Sequence, residues 1–175
     1  DVNEGEMGFS VSGKNIRYGL SAIKGVGRPV IDAIVAEREK NGSFKHLKDF
    51  IERLSGKEVN KRTIESFIKA GALDSLGGTR KQFMMIYIKI VDQVAQEKKY
   101  SMTGQMTLFD MVSEEQKSEF DIPLPNVGEY EKETMLAFEK EVLYLTAFDT
   151  DKLLAGFRET AGVDMCGVER YPGWE

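Results

Sequence analysis

The chain has 175 residues, 41% hydrophobic and 30% charged, with a formal net charge of −5. That make-up suits a soluble globular chain holding one domain, or one small domain plus an appendage, and no run nears the roughly 18 apolar residues of a membrane span. One cysteine, Cys166, and one histidine, His46, exclude an internal disulfide and a cysteine-rich zinc site. With one histidine a histidine-based metal centre is not expected, and no Ser-His-Asp or Cys-His spacing stands out in the chain. Charge is uneven: residues 1–100 carry 18 Lys/Arg against 13 Asp/Glu, and residues 101–175 carry 6 against 16. The basic and acidic parts suggest separate jobs, and any nucleic-acid footprint must be local. Asp1-Val2-Asn3-Glu4 shows neither a starting Met nor a signal pattern, so the expected context is a longer polypeptide in a reducing, cytoplasmic setting.

In chain order, Gly8–Ser12 and Asn15–Gly19 alternate apolar with polar residues around Gly13-Lys14. They read as a small β-hairpin that should pack on a neighbour, because isolated hairpins are marginal. Next comes Lys24-Gly25-Val26-Gly27, between Gly19–Ile23 and the segment Arg28–Glu39. Val30, Ile31, Ile34 and Val35 recur at helical spacing and Pro29 suits a first turn, so the pattern reads helix, glycine hairpin, helix. Gly25 and Gly27 let backbone N–H groups approach an anion, the second helix adds its positive end, and Lys24 and Arg28 add mobile charge. Val26 would point inward and hold the helices together. Such a device grips phosphate without reading base sequence. The other reading of the same residues is an ordinary αα-corner, which also favours glycine.

Asn41-Gly42 should end that helix. Ser43 is the expected cap of the next, in which Leu47, Phe50, Ile51 and Leu54 form an apolar stripe that Ser55-Gly56 ends. Asn60 should cap a helix carrying Ile64, Phe67 and Ile68, closed by Gly71. Ala70–Gly78 is a second glycine-bounded hairpin, and Thr79 should cap a long helix over residues 80–99. Its apolar face is Phe83, Met84, Tyr87, Ile90, Val91 and Val94. Met85, Ile86 and Ile88 make its middle apolar almost all round and predict burial there. Two helix-hairpin-helix units in succession would give one α domain and favour phosphate binding over the simple corner.

Beyond Tyr100 the composition shifts. Gln105-Met106-Thr107-Leu108-Phe109 is followed by an acidic, Pro-bearing stretch to Asn126 that reads as a flexible linker. Residues 129–143 return to helical spacing through Tyr130, Leu136, Phe138, Val142 and Leu143, with Glu129, Glu131 and Glu133 as a negative first turn. The glycine-broken residues 144–175 show no organisation. The fold class is therefore mainly α: a β-hairpin over 1–19, a tandem helix-hairpin-helix domain over 20–99, a motif and linker over 100–128, a helix over 129–143 and an unassigned tail over 144–175.

In their order, Asp1-Val2-Asn3-Glu4, Ile16-Arg17-Tyr18-Gly19-Leu20, Ala22-Ile23-Lys24-Gly25-Val26-Gly27, Gly42-Ser43-Phe44, Leu47-Lys48-Asp49-Phe50 and Ala70-Gly71-Ala72-Leu73-Asp74 resemble the α (catalytic) subunit of bacterial DNA polymerase III. The matching segment is where the fingers region ends and a tandem helix-hairpin-helix domain follows. Glu139-Lys140-Glu141-Val142-Leu143 is similar to the stretch before the family's OB domain. After Leu143 the resemblance stops: Tyr144-Leu145-Thr146-Ala147-Phe148-Asp149 replaces the family's run containing Gly-His-Pro, and a divergent, frameshifted or foreign tail all remain open.

The resemblance implies a DNA-directed DNA polymerase, a nucleotidyltransferase that works with Mg in a palm lying before Asp1. It implies no cofactor and no catalytic residue in this segment, so the segment alone should be inactive. It implies partners too: duplex DNA held through its phosphates by Lys24, Gly25, Val26, Gly27 and Arg28, the sliding clamp held by Gln105, Leu108 and Phe109, and other replicase subunits, with no membrane. Gln, Leu and Phe at that spacing also make chemical sense, as two adjacent apolar anchors beside a donor-acceptor side chain. Two other readings stay open, a free-standing helix-hairpin-helix adaptor without a polymerase and a purely structural α domain.

Overall fold

The computed structural model describes residues 1–12, 15–56, 59–102 and 122–143. The clamp-motif residues Gln105, Leu108 and Phe109, most of the acidic linker and the tail from residue 144 lie outside the described residues. The described chain is mainly helical with one small antiparallel pair of strands, as the sequence predicts. Strands β1 (Ser10–Ser12) and β2 (Asn15–Arg17) pair with Val11 opposite Ile16. Helices follow as α1 (Arg28–Asn41), α2 (Leu47–Leu54), α3 (Lys61–Lys69), α4 (Arg80–Met102) and α5 (Lys132–Val142).

The apolar stripes fall inward where their spacing put them. Val30, Ile31 and Ile34 of α1, Phe50 and Leu54 of α2, Ile64 and Phe67 of α3, and Phe83, Tyr87, Ile90 and Val94 of α4 form one core. Phe44, Phe50 and Phe67 stack edge-on in series, with centroids 5.0 and 6.0 Å apart. Each such ring contributes about 1.5–3 kcal/mol by leaving water. Helix α4 lies across both α2 and α3, so the core belongs to both halves of the domain. The N-terminal segment closes it from one side: Val2 is fully buried and its N–H donates to the Ala72 carbonyl at 2.9 Å, while Asn3 pairs with both backbone groups of Phe44.

Several caps are as expected. Asn60 accepts from the Thr63 N–H at 3.0 Å, and Gly42 ends α1 with φ +79°. Thr79 and Gln82 form a reciprocal capping box: the Gln82 N–H donates to Thr79 Oγ1 and the Thr79 N–H to Gln82 Oε1. Other expectations need correction. The segment before the first hairpin is a single 3₁₀ turn, Leu20–Ala22, rather than an α-helix. Helix α2 is capped by His46, whose Nδ1 accepts from the Asp49 N–H at 3.1 Å, and not by Ser43. Met85 and Ile88, expected to be buried, are 54% and 46% exposed, because they lie on the side of α4 away from the Phe83–Tyr87–Ile90–Val94 stripe. Leu136 of α5 is likewise exposed. The β-hairpin is held at its base by the Arg17–Glu4 ion pair, with Leu20 and Ser21 donating to the Glu6 and Met7 carbonyls alongside; Val11 and Ile16 stay exposed.

Candidate nucleic-acid interface

The two glycine hairpins sit on one α domain and differ in what occupies them. In the first, Lys24, Gly25, Gly27 and Arg28 are exposed, and Val26 is half-buried against the core, pointing inward as its position predicts. Gly25 turns the chain with φ +80°, a conformation that side chains rarely adopt. Gly27 has an ordinary φ of −81°, and a Cβ there would meet Pro29 at an unremarkable 3.5 Å. Folding therefore requires glycine at residue 25 and not at residue 27. Helix α1 starts at Arg28 with no side-chain cap. Val30 and Ile31 donate to the Gly27 carbonyl, Pro29 has no N–H, and among the described residues the N–H groups of Gly25, Gly27 and Arg28 have no acceptor. Those are the donors that the positive end of a helix offers an anion. Among the described residues Arg28 pairs with Asp32, at 3.7 Å with both side chains exposed, a pair worth about 0–1 kcal/mol. Ser66 of α3 stands beside the hairpin, its hydroxyl 3.9 Å from where a Gly25 Cβ would lie.

Lys24 departs from expectation. Its charge is not mobile: Nζ donates to the Glu141 carbonyl at 3.0 Å and its N–H to the Val142 carbonyl at 2.7 Å, at the C-terminal end of α5. With the Ile23–Leu143 bridge, these bonds fix the hairpin from behind. Helix C-termini favour cations, which accounts for the choice of lysine.

The second hairpin is filled by the chain itself. Gly71 has φ +72°, and a Cβ there would collide with the Arg80 guanidinium. That guanidinium, 11% exposed, reaches Asp74 at 2.9 Å and Glu139 of α5 at 2.8 Å, and also donates to the Lys69 carbonyl. The first N–H groups of α4 are also taken: Arg80 donates to Glu129 Oε2 at 2.8 Å and Lys81 to Oε1 at 3.2 Å. With Thr79 accepting from Gln82 and Phe83, all four N-terminal donors of α4 are engaged. Partial burial pushes the Glu129 carboxyl up, but the N–H groups of Tyr130, Arg80 and Lys81 outweigh it and hold the pKa below its ordinary 4.5. Glu129 was expected to open its own helix; α5 instead begins at Lys132, and Glu129 caps α4. Alongside, Lys69 bonds Glu141 at 2.9 Å and Glu65 at 3.0 Å, and the Glu141 bond raises its pKa above the ordinary value.

Sequence reasoning missed Arg80, Glu129 and Glu139 as a set, since 49 and 59 residues separate the partners. It also missed Arg53, which binds the Glu37, Gly42 and Ser43 carbonyls and lies 4.3 Å over the Phe44 ring, locking the α1–α2 turn. Asp32, Asp49, Asp74 and Asp92 each hold a cation. Among the described residues no three His, Cys, Asp or Glu side chains assemble as metal ligands, and no helix is long and apolar enough to cross a membrane.

The helix-hairpin-helix arrangement, complete around the second hairpin and with a 3₁₀ turn in place of the leading helix at the first, defines the class of module, and residues 1–83 match the model of the helix-hairpin-helix motif family. Over most of its length the chain is homologous to a segment of DNA polymerase III subunit alpha. It is 36% identical to that protein of Saccharopolyspora erythraea over 99% of this chain and 15% of the relative. It is 36% identical to that of Chlamydia trachomatis over 86% of this chain and 12% of the relative. The protein of Mycobacterium leprae is 37% identical over 83% of this chain and 12% of the relative. The chain thus spans about an eighth of the length of these curated relatives. The first match runs past Leu143 through the tail, where the sequence alone showed no resemblance.

Proposed function

We propose that the chain is the duplex-holding segment of a replicative DNA polymerase and grips the DNA backbone through its first hairpin. The observation that carries this reading is the uncapped start of α1, where the exposed N–H groups of Gly25, Gly27 and Arg28 have no acceptor among the described residues. A phosphate oxygen fits such donors, the nearby Arg28 supplies charge, and nothing in the loop reads a base. Homology to a polymerase subunit supplies the partner. Polymerisation itself, with Mg and its aspartates, belongs to the remainder of the longer polypeptide, and this segment alone should not extend a primer.

The test is a titration of a labelled duplex at two salt concentrations. Two phosphate contacts would weaken affinity roughly tenfold between about 50 and about 200 mM salt. Gly27→Val should weaken binding to all sequences alike while leaving the fold intact. Salt-independent binding, or unchanged affinity in folded Gly27→Val, contradicts the assignment.

A second element of the proposal rests on the sequence alone. Gln105, Leu108 and Phe109 are read as a sliding-clamp peptide, in the stretch that follows α4. Few residues carry such an interface, so Leu108→Ala with Phe109→Ala should abolish most binding to a bacterial clamp in a surface-binding assay. Equal binding by both proteins would remove this element and leave the DNA reading untouched.

A further inference from the structure

We propose that the strap formed by residues 122–143 acts as an internal competitor of DNA, with the Glu129 carboxylate sitting where the second hairpin would take a phosphate. This rests on the reading of the chain as a holder of duplex DNA. Each glycine hairpin leads into a helix N-terminus, that of α1 at the first and that of α4 at the second. One start offers open N–H groups; the other has its first two N–H groups on an anion supplied from 48 and 49 residues along the chain. That anion is a side chain of an exposed residue, with buried Arg80 and half-buried Lys81 beneath it, so its departure is what would open the donors to a DNA phosphate. The neighbouring cations are matched as well: Arg80 by Glu139 and Lys69 by Glu141, both from α5. Three carboxylates of one segment thus meet the donors and cations around the second hairpin. To Lys24 of the first, the same segment offers the backbone carbonyls of Glu141 and Val142. The strap also packs on the domain, through Val142, half-buried Ile122 and Leu143, and Phe138 beneath the Lys69 ammonium, but packing alone does not call for carboxylates at these three places. Charge selection is what an anion competing with another anion requires.

The consequence is a single phosphate-gripping hairpin where the fold provides two, and a second one unmasked when the strap lets go. The experiment uses the whole chain and a short fluorescein-labelled duplex, with four proteins: wild type, Gly27→Val, Glu129→Ala and the double variant. Glu129→Ala should tighten binding several-fold and steepen the salt dependence by about one unit of slope, the signature of one more phosphate contact. In the Gly27→Val background it should restore salt-sensitive binding that Gly27→Val alone has lost. If Gly27→Val weakens binding but folded Glu129→Ala changes neither affinity nor slope, the strap is a helix cap only; the inference falls and the first-hairpin reading stands. If Gly27→Val is without effect and Glu129→Ala tightens binding, the first-hairpin reading falls and the competitor survives. No binding by any of the four removes both. Should Glu129→Ala lose helical signal, Glu139→Gln is read in its place. It frees Arg80 while the α4 donors stay capped; a smaller gain is expected, and unchanged affinity and slope overturn the inference.

Discussion

The first and second hairpins have the same ingredients, glycines at a turn, a basic residue at the helix start and a helix dipole, and they end in opposite states. At the first, Arg28 is 78% exposed and three N–H groups have no acceptor among the described residues. At the second, Arg80 is 11% exposed and every N-terminal donor of α4 is engaged. The difference lies in neither hairpin. It comes from α5 and the residues before it, which lend carbonyls to one and carboxylates to the other. A glycine-rich turn before a helix is therefore an anion site only if the rest of the chain leaves it one.

Removing what the two regions share should abolish both states together. Phe67 is fully buried in the common core, so Phe67→Ala should cost about 3–5 kcal/mol in urea unfolding and loosen both hairpins. Next, Arg80→Ala should cost about 2 kcal/mol, since a largely buried guanidinium with two carboxylate partners is lost while those partners can still reach water. Arg28→Ala should stay within about 0.5 kcal/mol, the usual range for an exposed position. Equal costs would dissolve the contrast. The glycines sharpen it further. Gly71→Ala combines a positive φ with a collision against Arg80 and should cost about 1–2 kcal/mol, whereas Gly27→Ala should be close to neutral in thermal melts.

The smallest effect is one of pH. The Glu129 pKa is lowered in the fold, so its contribution is complete above the ordinary value of 4.5 and is lost as pH falls through the lower folded value. Glu129 accepts from the backbone N–H groups of Arg80 and Lys81, which do not titrate, so the loss reflects the carboxylate. Acid unfolding followed by circular dichroism should show wild type losing its advantage over Glu129→Gln below that point. A constant advantage would mean that the charge does not matter to the cap.

The helices were legible because each carries its apolar residues at one spacing and its stops in glycine or asparagine. Val30, Phe50, Phe67 and Phe83 needed no tertiary knowledge to be placed inside. The first hairpin was legible for the same local reason. Long-range pairing was not: nothing near Glu129 in the chain says that it caps α4, and nothing near Lys24 says that its ammonium rests on the end of α5. The 3₁₀ turn at Leu20–Ala22 was misread because apolar spacing over so few residues cannot separate one turn from the start of a helix. Met85 and Ile88 were misplaced because hydrophobicity alone does not say which side of a helix has a neighbour.

The most direct test of the asymmetry is a backbone-amide NMR titration of the whole chain with a short duplex at low salt. The account predicts that the amides of Gly25, Gly27 and Arg28 shift progressively with added DNA, while those of Arg80 and Lys81, held by Glu129, do not. Equal shifts at both helix starts, or shifts at Arg80 and Lys81 alone, would contradict it.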